Sequence, residues 1–69
     1  MAIDIDDIFA YHAPTGDQPH RYDQVRGAAL EFARILLKNT VPCADQTAAI
    51  RKLRECVMTA NASIALGGR

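Results

Sequence analysis

The stretch KNTVPCAD, residues 38–45, decides the fold, because it interrupts a helical pattern that continues on both of its sides. Pro42 lacks the backbone N–H that a continuing helix needs, so it marks a turn. One long helix is predicted over about 18–39, and a second over about 44–66, where Gly67 supplies a left-handed stop. Two helices of about 23 residues, joined by so short a turn, predict an antiparallel hairpin.

Apolar residues repeat along both helices at steps of three and four, which is the spacing of one helix face. The first long helix carries a stripe with a second apolar line beside it. We therefore expect it to cover two surfaces, one against its hairpin partner and one against another chain. The stripe comprises Tyr22, Val25, Ala29, Phe32 and Leu36; the second line Leu30, Ala33 and Leu37; and the stripe of the following helix Ile50, Leu53, Val57, Ala60 and Ile64.

The N-terminal part predicts a short helix and a loop before the hairpin begins. Asp4 can cap a helix over about 4–10, and the Pro- and Gly-containing residues 11–18 read as loop. Asp17 is expected to cap the first long helix, where Pro19 is tolerated in the first turn. The sequence thus predicts an all-α fold in one domain, 1–69: an antiparallel two-helix hairpin with a short N-terminal helix.

A chain of 69 residues is expected to need help in burying a core. A domain of this size buries only about 60% of the surface that its unfolded chain exposes. The cysteines, Cys43 and Cys56, are too few for a disulfide framework, and no Cys/His spacing suggests a zinc site. Self-association remains, so we predict an obligate homo-oligomer.

The charge distribution favours a compact anionic partner over a long nucleic acid. Net charge is zero, yet residues 1–20 hold four acids and no Lys or Arg, whereas residues 21–69 hold eight basic residues against four acids. A long nucleic acid requires a sustained basic surface, which is missing. Neither a signal peptide nor the roughly 20 apolar residues of a membrane span is recognisable, so we expect a cytosolic protein.

The segment FAYHAPTGDQPHRYDQVR, residues 9–26, concentrates three of the four aromatic residues and both histidines. Aromatic rings offer planes on which bases stack, and Arg offers a planar fork for phosphate. Each candidate has a plainer alternative. Tyr11 could seal the short helix onto the hairpin, Arg26 could form a surface ion pair with Asp23 or Glu31, and His12 could cap the loop. Tyr22 is interpreted as core.

No pattern in the chain indicates an enzyme or a cofactor. A glycine-rich phosphate loop, a carboxylate pair and a nucleophile elbow are all missing from the sequence, and a two-helix hairpin has no cleft of its own. Cys43 is interpreted as a weak N-cap, and Cys56 as a small apolar packing residue. For Asn61 we expect an interhelical hydrogen bond that helps to set the register.

Two sequence blocks in their order and spacing carry a family resemblance. DDIFAYHAPTGDQPHRYDQVR, followed by an Ala-rich helix and then by VMTAN, resembles the anti-CBASS protein 2 family of phage proteins. The hairpin domain of that family is shared with the Thoeris anti-defence protein 1 group. The likeness spans Ile5 to Leu66. The chain departs from the family pattern at Arg26, where Lys is frequent, at Cys43, where Ser is usual, and at Thr59, where a large aromatic residue often stands.

The resemblance implies a sponge without catalytic activity, active in the cytoplasm of the infected bacterial host. Such proteins assemble as helical homo-oligomers, commonly hexamers, and hold cyclic dinucleotides such as cyclic GMP-AMP, and in some members cyclic trinucleotides, between protomers. The likeness implies that Tyr11 stacks on the nucleobases and that Arg26 contacts phosphate. Phe9, His12 and Pro14 belong to the same FxYHxP block and are candidate ligand contacts. Arg69 is a further candidate, since the Arg69 side chains of three symmetry-related copies could meet around one anion.

Two other functions remain open from the sequence. A helical protein-interaction module would dock a host or phage protein through its apolar face. A sponge for cyclic ADP-ribose isomers, the Thoeris signal, would use the same hairpin. We expect neither a long nucleic acid nor a membrane as a partner.

Overall fold

Three helices make up the regular structure of the computed structural model, which describes residues 3–68. Helix α1 spans Ile5–Ile8, α2 spans Gln18–Asn39 and α3 spans Ala44–Leu66. Helices α2 and α3 pack against each other in antiparallel orientation and are joined by the turn that contains Pro42. The predicted all-α hairpin with a short N-terminal helix is therefore confirmed.

Helix α1 is shorter than the predicted 4–10. The Asp4 carboxylate accepts a hydrogen bond from the Asp7 backbone N–H at 3.1 Å, which caps the first turn as expected. At the other end, the Ala10 N–H donates to the Asp7 carbonyl at 3.3 Å, three residues back. This tighter bond ends the helix, so Phe9 and Ala10 belong to the loop.

The ends of the long helices coincide with local sequence signals, but the predicted side-chain caps are wrong. Asp17 makes no capping hydrogen bond and instead lies 3.7 Å from the Arg21 guanidinium. Cys43 also makes no side-chain cap; its carbonyl accepts hydrogen bonds from the Thr47 backbone N–H at 3.2 Å and from the Thr47 hydroxyl at 3.3 Å. Gly67 has a φ of 60° and donates to the Ser63 carbonyl, so the left-handed stop is present.

The seam between α2 and α3 differs from the predicted stripe at one position. The predicted stripe includes Phe32, yet this side chain is 51% exposed, whereas Ala33 is half-buried. Both residues lie beside the seam, where the small Ala33 side chain is half-buried and about half of the larger Phe32 side chain stays exposed. Tyr22, interpreted as core, is half-buried.

The hairpin is elongated and its interior is thin. Its radius of gyration is 15.0 Å, against about 11 Å for a compact chain of this length. Its accessible surface is 5657 Å², whereas a compact monomer of this mass exposes about 4,200 Å². Among residues 3–68, Ile64 is the one apolar residue that the hairpin buries, at 8% exposure.

Apolar side chains consequently remain on the surface of the single chain. Two shallow apolar grooves run along the two sides of the seam. Cys56 lines one of them and is exposed, so its interpretation as a packed apolar residue is wrong. One groove is lined by Val25, Ala28, Ala29, Phe32, Leu53, Cys56 and Val57, and the other by Ala29, Leu30, Ala33, Ile50, Leu53, Arg54, Val57 and Met58.

Candidate functional site

The candidate site is an open pocket of about 530 Å³ where the loop before α2 meets the end of α3. The loop contributes both a tyrosine and a histidine of the FxYHxP block, α2 contributes its first residue, and α3 its last turn. The pocket therefore brings together segments that are about 50 residues apart in the chain. Its lining comprises Tyr11, His12, Ala13, Thr15, Gln18, Ala65, Leu66 and Gly67.

The two aromatic rings of the loop project into solvent. Tyr11 is 87% exposed and Phe9 is 86% exposed. The alternative in which Tyr11 seals the short helix onto the hairpin is therefore wrong. Rings held out in this way leave both faces accessible, and an aromatic face is the surface on which a nucleobase stacks.

His12 anchors the loop to α1. Its Nε2–H donates to the Asp7 carbonyl at 2.7 Å, and the same nitrogen lies 3.7 Å from an Asp7 carboxylate oxygen. Because a carbonyl can only accept, this bond places a proton on Nε2. The loop-capping alternative thus describes the geometry of His12, which also lines the pocket beside Tyr11.

Gln18 is a site residue that the sequence analysis missed. Its side-chain oxygen accepts from the Thr15 backbone N–H at 3.0 Å, and its side-chain nitrogen donates to the Ile64 carbonyl at 3.0 Å. One amide thereby ties the loop to the end of α3. A glutamine at the start of a helix gives no sequence signal for a contact 46 residues away.

Arg26 lies on α2, apart from the pocket. It is eight residues beyond Gln18, which corresponds to about 12 Å along the helix axis. Its guanidinium Nη2 donates to an Asp23 carboxylate oxygen at 2.6 Å, with both side chains largely exposed. The single chain therefore contains the surface ion pair with Asp23, which is the alternative to a phosphate contact.

The other candidates are not gathered at the pocket. Pro14 is exposed in the loop and is not part of the pocket lining. Arg69 lies outside the described residues. Asn61 does not make the expected interhelical bond through its side-chain oxygen, since this oxygen is buried in α3 without a hydrogen-bond partner.

The described part of the chain offers no cluster that could hold a metal ion. Within residues 3–68, no group of three or more His, Cys, Asp or Glu residues comes together. In the same range, no helix is both long and apolar enough to cross a lipid bilayer.

The elements above define a small helical hairpin that displays a polar and aromatic loop at one end. A family model described as "Acb2/Tad1, hairpin domain" matches residues 1–65. The match covers nearly the whole chain, so the chain belongs to this family. Family membership supports a role in phage anti-defence. Neither a curated protein nor a solved structure matches the chain significantly.

Proposed function

We propose that this protein is a sponge for cyclic oligonucleotide second messengers, which it binds and sequesters without cleavage. The ligands would be cyclic dinucleotides such as cyclic GMP-AMP, with cyclic trinucleotides as a further class, and the consequence would be a block of CBASS-type immunity in the host cytoplasm. The observation that carries the proposal is the display of Tyr11 and Phe9, almost fully exposed on a loop anchored by His12 and Gln18. An ordered loop with uncovered aromatic faces suits base stacking.

The proposed site is completed by a second copy of the chain. Within one chain, Tyr11 lines a shallow pocket and Arg26 lies on α2 outside that pocket. A neighbouring copy could bring its own Arg26 to the Tyr11 pocket of the first, which would place a cation beside the stacked base. The surface is about 1,400 Å² larger than that of a compact monomer, which supports association; we propose a homo-oligomer, with the hexamer implied by the family resemblance.

Binding without catalysis is supported by the residue types around the pocket. Among residues 3–68, the pocket lining includes no carboxylate, thiol or lysine. His12, the one imidazole there, uses Nε2 in its bond with the Asp7 carbonyl. General acid–base cleavage of a phosphodiester calls for positioned proton donors and acceptors, and a single engaged imidazole supplies few of them.

Calorimetry with cyclic GMP-AMP, followed by heat denaturation and mass spectrometry of the released nucleotide, tests this function. We expect saturable binding at a fixed stoichiometry and recovery of the intact cyclic ligand. A linear dinucleotide or its fragments in the released fraction would refute sequestration and indicate an enzyme. Light scattering on the same sample measures the mass of the assembly, and a monomer that still binds would refute the shared site.

Substitutions test the residue assignment separately from the function. Tyr11→Ala and Arg26→Ala should each weaken binding while the assembly keeps its mass. Tyr11→Phe retains the stacking ring and should bind nearly as the parent protein does. Arg34→Ala, which removes the same charge from an exposed position on α2, serves as the control for Arg26→Ala. Normal binding by both alanine variants would show that the residues are misassigned.

Two further candidates are each favoured by one observation. The family model covers the Acb2 and Tad1 hairpins together, so cyclic ADP-ribose isomers belong in the ligand panel, and a thermal shift with those alone would favour the Thoeris signal. The exposed apolar grooves beside the seam favour a protein-interaction module. That module predicts a monomer or dimer that binds no cyclic nucleotide.

A further inference from the structure

We propose that Gln18 is a positioning residue for the ligand site, holding the loop that carries Tyr11 at a fixed distance from α3. This inference rests on the proposed function, because it assigns a role at the same site. It starts from the two hydrogen bonds of the Gln18 amide, to the Thr15 N–H and to the Ile64 carbonyl, both at 3.0 Å. These bonds join the two walls of the pocket.

The bond to Ile64 uses a backbone group that α3 itself cannot satisfy. Ile64 lies in the last turn of α3, where carbonyls have no partner further along the helix. The Gln18 side chain is half-buried and supplies the missing donor. Ile64 is also the residue that the hairpin buries most completely among those described, so its carbonyl is a well-fixed point of attachment.

The bond to Thr15 transmits that fixed point to the loop. His12 holds the loop start through Asp7, and Gln18 holds the loop end through Thr15. Tyr11 directly precedes His12 and lies in residues 11–15, which have no regular structure that would fix the ring without these anchors. A loop that is ordered before the ligand binds loses less conformational entropy on binding, so the affinity for the ligand is higher.

A glutamine is suited to this role because its amide donates and accepts at once. Gln18→Glu removes the donor and puts a carboxylate against the Ile64 carbonyl. Gln18→Met keeps the length of the side chain and removes both bonds. Gln24→Met makes the same change at an exposed position of α2, where the side chain has no hydrogen bond within residues 3–68, and serves as the matched control.

The test is a double-mutant cycle on cyclic GMP-AMP affinity with Gln18→Met and Tyr11→Ala, measured under conditions where all variants are folded. If Gln18 acts through the loop, Gln18→Met weakens binding roughly three- to tenfold in the parent protein. The same substitution costs almost nothing in the Tyr11→Ala background, because a loop without its ring has nothing to position. Gln18→Glu, which loses the bond to Ile64, should also weaken binding, and Gln24→Met should match the parent.

Amide hydrogen exchange supplies a second readout that needs no ligand. Loss of the bond to Gln18 should remove protection at the Thr15 amide in Gln18→Met and leave it in Gln24→Met. An equal loss of affinity in both Tyr11 backgrounds would show a role in folding alone and overturn the inference, as would unchanged Thr15 protection. If the parent protein binds no cyclic nucleotide, the proposed function fails, while exchange at Thr15 still decides whether Gln18 holds the loop.

Discussion

Replacing Asp23 with asparagine tests whether the ion pair on α2 competes with the ligand for Arg26. In the single chain, Arg26 Nη2 lies 2.6 Å from the Asp23 carboxylate, and the two side chains are 63% and 72% exposed. A phosphate that binds Arg26 has to share or displace this partner. It also approaches a carboxylate of the same sign. Both effects oppose binding, so Asp23→Asn should increase affinity.

The magnitude follows from the exposure of the pair. Solvent-exposed ion pairs contribute about 0.2–1 kcal/mol, and about 1.4 kcal/mol corresponds to a tenfold change in affinity. Freeing Arg26 should therefore tighten cyclic dinucleotide binding by about 1.4- to 5-fold. The gain should shrink as salt is raised, because ions screen exposed charges.

Titration calorimetry of Asp23→Asn at low and high salt measures this gain directly. Glu31→Gln makes the same change of charge at another exposed position of α2 and is the control for net charge. An affinity gain that Glu31→Gln reproduces would assign the effect to overall charge. Weaker binding by Asp23→Asn would refute the reasoning, because it would mean that Asp23 orients Arg26 toward the ligand instead of competing with it.

Three further predictions concern stability. Because the proposed assembly stabilises the folded chain by mass action, the melting temperature should rise with protein concentration, and a constant value would contradict self-association. Ile64→Ala should lower the free energy of unfolding by about 2–4 kcal/mol, whereas Val41→Ala, in the exposed turn, should change it by less than about 0.5 kcal/mol; equal losses in denaturant titrations would mean that Ile64 is not the anchor of the core. Gly27→Ala, within α2 with open space at its Cβ, should raise the free energy of unfolding by about 0.4–1 kcal/mol. Gly67→Ala, at a φ of 60°, should lower it by about 1 kcal/mol. Destabilisation by Gly27→Ala would instead indicate close approach of another chain.

Much of the fold can be predicted from the sequence, because the residues that begin and end the helices act locally. Proline near the start of α2 and in the turn, and glycine after α3, act through the backbone of their own neighbourhood. The apolar spacing then requires the helices to pair, since each has a face to cover. The predictions are wrong where a side chain has alternatives: Asp17 pairs with Arg21 instead of capping, and Phe32 is half exposed beside the seam whereas Ala33 is half-buried.

The candidate site can be predicted only in part from the sequence. The sequence alone determined that a loop with aromatic residues precedes a hairpin with little interior, because composition and spacing need no knowledge of distant contacts. Only the tertiary structure decided that Tyr11 stands clear of the hairpin, that Arg26 is held by Asp23, and that Gln18 reaches Ile64. The physical reason is that exposure and hydrogen bonding depend on which groups the packed helices bring within about 3 Å of one another, and groups 46 residues apart leave no mark on local sequence.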